Sequence, residues 1–229
     1  HKAFCGAVQN GLTFESNIPM GYGLGSSGAL CAATYDLFCL HKTSDPADLK
    51  VIFAQMESFF HGSSSGIDPL TSYLNRPVLI RNKITVDIID DGPGQTGMPI
   101  VFLIDSGLPR QTGTLVRWFL DKCAETAFYT KLEEQYLPAH EQMLQSWLDS
   151  DAAVFWSNLR QVSRFQLENF NPMIPASLHN IWLENIDNQD IVFKICGAGG
   201  GGFMLGFCKN KGALDTLKQQ FKLVFPCSI

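Results

Sequence analysis

Residues 18–30 contain three glycines at alternate positions, followed by two serines and a fourth glycine, a pattern that can bind phosphate. Glycines allow successive backbone N–H groups to turn toward one anion, and a helix that begins at the serines adds its positive N-terminal end. One serine hydroxyl could also reach a metal ion that accompanies phosphate. The segment predicts a phosphate-binding loop, with a plain strand-to-helix turn capped by serine as the alternative. These residues are Gly21, Gly23, Gly25, Ser26, Ser27 and Gly28.

Two carboxylates eleven residues apart form a second candidate site. Glu57 is predicted on a helix beside Phe53 and Phe60, so its carboxylate lies next to an apolar stripe and needs a cation or a metal as partner. Asp68 ends a Gly/Ser-rich loop, residues 61–67, where it could serve as a base or as a ligand. In the purely structural alternative, Glu57 pairs with a lysine and Asp68 caps the next element.

A run of four glycines, residues 199–202, lies between two apolar, beta-like segments near the end of the chain. Such a run allows the backbone to approach a ligand or another loop closely. Because Ile195, Cys196 and Phe203 flank it, burial is favoured over the alternative of a flexible hairpin tip.

Several standard motifs can be tested against the chain and rejected. Residues 23–28 match G-x-G-x-x-G, but the acid expected about twenty residues later, Asp48, lies in a polar segment with Pro46 and not at the end of a strand. A Walker-type loop would need a lysine before the serine. The match of residues 62–66 to G-x-S-x-G would make Ser64 a hydrolase nucleophile, yet a helix and not a strand is predicted before it.

The composition restricts the function classes. The net charge of −5 and the 17% of charged residues disfavour nucleic-acid binding, because no basic stripe is present. Seven cysteines without a C-x-x-C pair predict reduced thiols in a cytoplasmic protein. Residues 16–35 carry no charge, but their proline and many Gly and Ser residues argue against a membrane span, and no signal peptide is visible.

The order of predicted elements indicates an α+β fold, with a domain junction predicted at residues 90–94. A strand over 11–17 is predicted to feed the phosphate loop. Because the chain begins at His1 without a methionine, we expect an N-terminal piece to be missing, which would leave that strand as an exposed sheet edge. Helices are predicted over 27–41, 44–60, 112–187 (with breaks at Pro138, Ser150 and 172–175) and 210–221, and strands over 77–81, 84–89, 100–105, 190–196, 203–208 and 222–226.

The ordered motifs P-x-G-x-G-L-G-S-S-G, H-G-x-x-S-G-x-D and C-G-A-G-G-G-G resemble those of the GHMP small-molecule kinases. Residues 105–116 are similar to the P-R-x-T-x-x-L-V stretch of the mevalonate kinase branch of that family. Three positions depart from the family pattern: Ser64 stands where proline is usual, Pro69 where asparagine is usual, and Gly28 where alanine is common. The family's first motif, with its active-site lysine, has no counterpart here.

The resemblance implies a GHMP-kinase-like architecture of two domains that meet at a cleft. Residues 1–98 would be the remainder of the N-terminal domain with the phosphate loop, and residues 99–229 a ferredoxin-like C-terminal domain. The implied activity is Mg²⁺-assisted, ATP-dependent phosphorylation of a small-molecule alcohol, foremost mevalonate, in isoprenoid biosynthesis. A sugar or another alcohol is the alternative acceptor, and an inactive ATP-binding module is the alternative of another class. The implied partners are the alcohol and, as an option, a second copy in a homodimer.

The resemblance also assigns roles residue by residue. Ser27 and Glu57 would ligate Mg²⁺, and Asp68 would orient and deprotonate the acceptor alcohol. The ATP phosphates would contact Gly21, Gly23, Leu24, Gly25, Ser26, Ser27 and Gly28. The acceptor side would involve His61, Gly62, Ser65, Gly66, Thr112, Gly199, Gly200 and Gly201.

Overall fold

The computed structural model describes residues 2–82, 85–89, 97–110 and 112–225, without the side chains of His61 and Thr112. The chain divides into two compact units, His1–Gly92 and Pro93–Ile229. The boundary expected near residue 98 remains a prediction. Within the described ranges, no helix is both long enough and apolar enough to cross a bilayer.

The first unit contains helices and one hairpin. The helices are α1 (Lys2–Gln9), α2 (Ser26–Phe38), α3 (Pro46–His61) and α4 (Ile67–Leu74), and the antiparallel hairpin joins β1 (Val78–Arg81) to β2 (Thr85–Ile88). Helix α3 begins where the sequence predicts, because the Asp45 carboxylate accepts hydrogen bonds from the amides of Ala47 and Asp48 at 2.9 Å and proline follows at the first helical position.

A small aromatic core joins α2, α3 and α4. Tyr35 of α2 and Phe53 of α3 are buried, with their ring centroids 5.2 Å apart, and Leu70 of α4 is fully buried beside them. Phe53 lies one turn before Glu57, so the packing that fixes α3 also fixes the position of that carboxylate.

The predicted strand over 11–17 is wrong. Residues 12–17 are irregular, and the chain before them closes α1: the amide of Leu12 bonds the carbonyl of Ala7 at 2.9 Å, and Gly11 takes a left-handed φ of 83°. A strand needs a neighbouring strand to accept its hydrogen bonds. Among the described residues of this unit, β1 and β2 pair only with each other, so the expected sheet edge is absent there.

The second unit has a four-stranded antiparallel sheet in the order β4-β5-β3-β6. Its strands are β3 (Ile100–Asp105), β4 (Ile191–Lys194), β5 (Phe203–Cys208) and β6 (Leu223–Val224). With helices between β3 and β4 and again between β5 and β6, the chain follows the β-α-β-β-α-β order of the ferredoxin-like domain that the resemblance implies. Phe102 pairs with Gly206, and a Cβ on that glycine would collide with the Phe102 ring.

Helices cover both faces of this sheet. Alternate strand residues point to opposite faces, so Phe193 packs into one apolar cluster and Val192 into another. The helices are α5 (Thr112–Cys123), α6 (Thr126–Lys131), α7 (Leu137–Leu148), α8 (Ala152–Asn169), α9 (Ala176–Glu184) and α10 (Asp215–Gln220), with short 3₁₀ turns at Asn171–Met173 and Lys211–Leu214.

The helix break predicted at Pro138 is wrong, because the chain stays helical from α6 into α7. One π turn, Leu132–Tyr136, lies between them, and the amide of Leu137 bonds the carbonyl of Leu132. Pro138 then occupies the first turn of α7, where its missing N–H costs little.

Candidate active site

The predicted phosphate loop ends at the N-terminus of α2. Gly21, Gly23 and Gly25 take left-handed φ values of 77°, 73° and 71°, which a side chain would strain. Gly25 is the N-cap, so Ser26 and Ser27 lie inside the first turn of the helix instead of capping it. The first hydrogen bond of the helix joins the amide of Ala29 to the carbonyl of Gly25 at 2.8 Å. The three residues before Ala29 therefore carry N–H groups that have no acceptor within the helix.

The Glu57 carboxylate is buried, with 5% of the residue exposed, and each of its oxygens accepts a hydrogen bond from a hydroxyl group. The Ser27 hydroxyl donates to Oε1 at 3.0 Å and the Ser64 hydroxyl donates to Oε2 at 2.5 Å. Among the described residues, no Lys, Arg or His pairs with Glu57, so the lysine partner of the structural alternative is not found there. A buried carboxylate held only by hydroxyls favours a cation as its further partner.

Glu57 also affects its apolar surroundings. Burial, followed by the negative charge of Glu57, raises the pKa of the Cys31 thiol above its ordinary value of 9.0. Cys31 is therefore a neutral packing residue on the side of α2 that faces α3.

Asp68 lies in the first turn of α4, next to the start of α2. A Cβ on Gly25 would lie 3.6 Å from Asp68 Oδ2, and a Cβ on Gly28 would lie 2.9 Å from Asp68 Cβ. Asp68 is exposed, and the N-cap position of α4 is occupied by Gly66. Asp68 therefore lies in an exposed position beside the predicted phosphate loop.

The loop between α3 and α4 folds back onto α3. Gly62 ends α3 with a φ of 73°, and its amide bonds the carbonyl of Ser58 at 2.7 Å. Gly66 also has a φ of 73°, and a Cβ there would collide with the backbone of Lys50 and Ala54. The loop holds Ser65 exposed on the surface, where its hydroxyl accepts from the amide of Ile67 at 3.5 Å.

The oxygen atoms gathered in the first unit fit Mg²⁺ that arrives with a nucleotide. Ser27 and Glu57 offer a hydroxyl and a carboxylate, and Mg²⁺ commonly takes one or two such protein ligands and completes its shell with phosphates and water. In the part of the chain that the structure describes, no group of three or more His, Cys, Asp or Glu residues could hold a metal ion.

The second unit brings together the glycine run and residues 105–110. The amide of Gly202 bonds the carbonyl of Leu108 at 2.6 Å, and the amide of Gly200 bonds the carbonyl of Met173 at 2.7 Å. The Arg110 guanidinium donates to the carbonyl of Cys196 at 3.1 Å. The run is therefore packed against neighbouring backbone, as its apolar flanks predict.

Close packing alone accounts for these glycines within the second unit. A Cβ on Gly199, Gly200 or Gly201 would collide with Met173, Leu115 or Pro109, respectively. Their role toward an acceptor remains a prediction. The same holds for His61, at the end of α3, and Thr112, at the start of α5, whose side chains lie outside the described part of the structure.

The contact between Ser64 and Glu57 was not predicted from the sequence. Three serines stand side by side at 63–65, and their types alone do not distinguish the one that reaches the carboxylate. Ser64 follows a helix and precedes another, unlike the strand-to-helix turn of a hydrolase nucleophile.

Comparison with known proteins relates the first unit to one family. The family described as "GHMP kinases N terminal domain" matches residues 2–76. The mevalonate kinase of Archaeoglobus fulgidus is 27% identical over 212 residues, which make up 87% of this chain and 66% of that protein. The chain thus spans about two thirds of the length of this curated relative.

Solved structures of small-molecule kinases share the fold. Streptococcus pneumoniae phosphomevalonate kinase superposes with a TM-score of 0.64 at 16% identity, over 89% of this chain and 68% of that one. L. major mevalonate kinase gives 0.60 at 16% identity, over 90% and 67%. Lactococcus lactis galactokinase gives 0.62 at 12% identity, over 96% and 71%.

Proposed function

Because residues 2–76 match the N-terminal domain of the GHMP kinases, we propose that this chain supplies the nucleotide site of an ATP-dependent small-molecule kinase with mevalonate as its leading acceptor. The buried Glu57 carboxylate carries this proposal. It lies 3.0 Å from the Ser27 hydroxyl in the first turn of α2, and among the described residues it has no cationic partner. Magnesium bound with ATP would supply that cation.

The start of α2 would bind the ATP phosphates. The left-handed glycines turn the backbone at 21–25, and the N–H groups of the first helical turn point along the helix axis toward the positive end of its dipole. Ser27 and Glu57 would hold the Mg²⁺ ion, which, when bound, neutralises phosphate charge. A phosphoryl transfer needs mainly such positioning and charge neutralisation from the protein.

Asp68 would act on the acceptor alcohol. Its exposed carboxylate lies beside Gly25, so a hydroxyl placed next to the phosphate loop could donate a hydrogen bond to it. The carboxylate would orient that hydroxyl and take its proton as the phosphate ester forms. A positioned base of this kind typically contributes about 10²–10⁴ in rate.

Mevalonate is the leading acceptor because the curated relative is a mevalonate kinase. Residues 105–116, which resemble the corresponding stretch of mevalonate kinases, support the same choice. Phosphomevalonate and galactose are the natural competitors, since the chain shares its fold with kinases that were solved with these compounds.

The test is product formation over a panel of acceptors. The full chain is incubated with Mg²⁺ and ATP and with mevalonate, phosphomevalonate, homoserine or galactose, and the phosphorylated product is identified by mass spectrometry. We expect phosphate on mevalonate, and none in an Asp68→Asn sample purified in parallel, which excludes a contaminating kinase. If phosphorylated product forms with galactose alone, the acceptor is a sugar and not mevalonate. Binding of ATP without transfer to any acceptor would contradict the kinase proposal and favour a nucleotide-binding module.

A further inference from the structure

We infer that Ser64 is a positioning residue for the proposed cation site. Its hydroxyl donates to Oε2 of Glu57 and so orients Oε1 toward Ser27, whose oxygen would bind the same cation. The inference rests on the proposed function, because it assigns to Ser64 a part in the same site.

The hydrogen bonds around Ser64 fix the direction of its proton. The Ser64 Oγ atom accepts a hydrogen bond from the amide of Gly66 at 3.0 Å. Since an N–H group can only donate, the Ser64 proton is left for the contact with Glu57 Oε2 at 2.5 Å. A hydroxyl that donates to a carboxylate makes a short, charge-assisted hydrogen bond.

The backbone at Gly66, whose amide donates to Ser64, is held tightly against α3. Gly66 packs so closely on α3 that a Cβ there would collide with the carbonyl of Lys50 and the amide of Ala54. Glu57 lies on the same helix, one turn beyond Ala54. The backbone of α3 thus positions both the Ser64 hydroxyl and the Glu57 carboxylate. This common support restricts rotation of the Glu57 side chain.

This arrangement affects how Glu57 can bind a cation. With Oε2 engaged by Ser64, the carboxylate presents Oε1 beside the Ser27 hydroxyl and does not need to be reoriented when a cation binds. Groups that orient a metal ligand typically change metal affinity by about 10–100-fold when they are removed. Without the Ser64 hydroxyl, the carboxylate would lose one of the two hydrogen bonds that the described residues give it, and with it its fixed orientation.

The test measures metal and nucleotide binding instead of turnover. Binding of AMPPNP to the full chain is measured by calorimetry with and without Mg²⁺, and Mn²⁺ binding in the presence of AMPPNP is followed by electron paramagnetic resonance. Ser64→Ala should weaken Mn²⁺ binding about tenfold and leave metal-free AMPPNP binding unchanged. Ser64→Thr, which retains the hydroxyl, should restore most of the affinity.

Ser63→Ala is the matched control, because Ser63 is exposed in the same loop and its side chain makes no hydrogen bond within the described part of the chain. Thermal unfolding of each variant separates a local effect from a loss of folding. Mn²⁺ affinity of Ser64→Ala within twofold of the unchanged chain would overturn the role of Ser64 and leave the proposed function intact. If the unchanged chain itself shows no metal-dependent AMPPNP binding, the proposed function and this inference both fail.

Discussion

A Cβ atom on Gly28 would lie 2.7 Å from the backbone nitrogen of Pro69, so α2 approaches the start of α4 as closely as a glycine permits. Both are among the positions at which the sequence departs from the motifs that it resembles. The two departures are therefore in direct contact. Together they set the distance between the start of α2 and Asp68, which precedes Pro69.

Gly28→Ala should destabilise the chain. Overpacking of a close contact costs about 1–3 kcal/mol, while alanine in place of glycine returns up to about 1 kcal/mol of helix propensity. The free energy of unfolding, measured in urea, should therefore fall. Gly6→Ala in α1 is the control, because a Cβ there would meet no atom within 4 Å and the change should be neutral or stabilising. Equal effects of both substitutions would contradict the close approach of α2 and α4.

Glu57→Gln should raise the Mg²⁺ concentration required for activity more than it changes the KM for the acceptor. Glutamine keeps the size of the side chain and removes the charge that a cation would balance. A Mg²⁺ titration of turnover at saturating ATP measures the effect. If the Mg²⁺ titration is unchanged and the defect is confined to acceptor binding, Glu57 is not a metal ligand and its role is structural.

Asp68→Asn should abolish most turnover while the affinity for AMPPNP stays nearly unchanged. Asparagine cannot take the proton of the acceptor alcohol, so kcat should fall by about 10²–10⁴. Nucleotide binding is measured by calorimetry and kcat by product formation. A variant that retains more than about a tenth of the original kcat would remove Asp68 from the role of base.

Arg110→Met should loosen the glycine run of the second unit. The guanidinium donates to the carbonyl of Cys196, and a hydrogen bond from a charged group contributes about 1.5–3 kcal/mol. Hydrogen exchange followed by mass spectrometry should therefore show faster exchange in a peptide that covers Gly200 and Gly202. The exposed Arg117 of α5 provides the control variant Arg117→Met, for which exchange in that peptide should not change.

His140 should contribute to acid sensitivity. Burial, and then the positive charge of Lys194, lower the pKa of His140 below its ordinary 6.5. As the pH falls, His140 therefore becomes protonated in the unfolded chain before it does so in the folded chain. The free energy of unfolding is consequently highest above pH 6.5 and decreases as the pH falls from there through the folded pKa. Urea unfolding between about pH 7.5 and pH 5 should show a smaller loss for His140→Gln than for the unchanged chain.

Lys194→Met is the companion variant for this prediction. Removing the positive charge brings the folded pKa of His140 closer to that of the unfolded chain, so the loss below pH 6.5 should become smaller. Parallel loss of stability in the unchanged chain and in His140→Gln would show that other groups cause the acid sensitivity.

Helices and strands that are determined by neighbouring residues were predicted correctly from the sequence. Asp45 and Pro46 begin α3 because capping and a fixed φ act within one turn, and the apolar run at 203–208 forms β5 with the predicted bounds. The strand expected over 11–17 failed because a strand depends on a partner from elsewhere in the chain. Helix α1, whose closing turn uses Gly11 and Leu12, was not predicted.

The spacing of Glu57 and Asp68 singled out two carboxylates that the fold brings to the start of α2. It did not reveal Ser64, since three adjacent serines have the same local chemistry. Gly66 packs closely on α3, and its amide donates a hydrogen bond to the Ser64 hydroxyl, which places the middle serine near the carboxylate. Contacts of this kind arise from tertiary structure, which the serine pattern alone does not encode.

The pairing of Phe102 with Gly206 has a consequence for how the ferredoxin-like sheet finds its alignment during folding. Both faces of the sheet are apolar, so hydrophobicity alone gives little preference between neighbouring strand alignments. A slip of one residue would set the Phe102 ring opposite Leu205 or Phe207, where a side chain already fills the space that Gly206 leaves open. Side-chain volume, through this one aromatic–glycine pair, thus discriminates against misaligned strands.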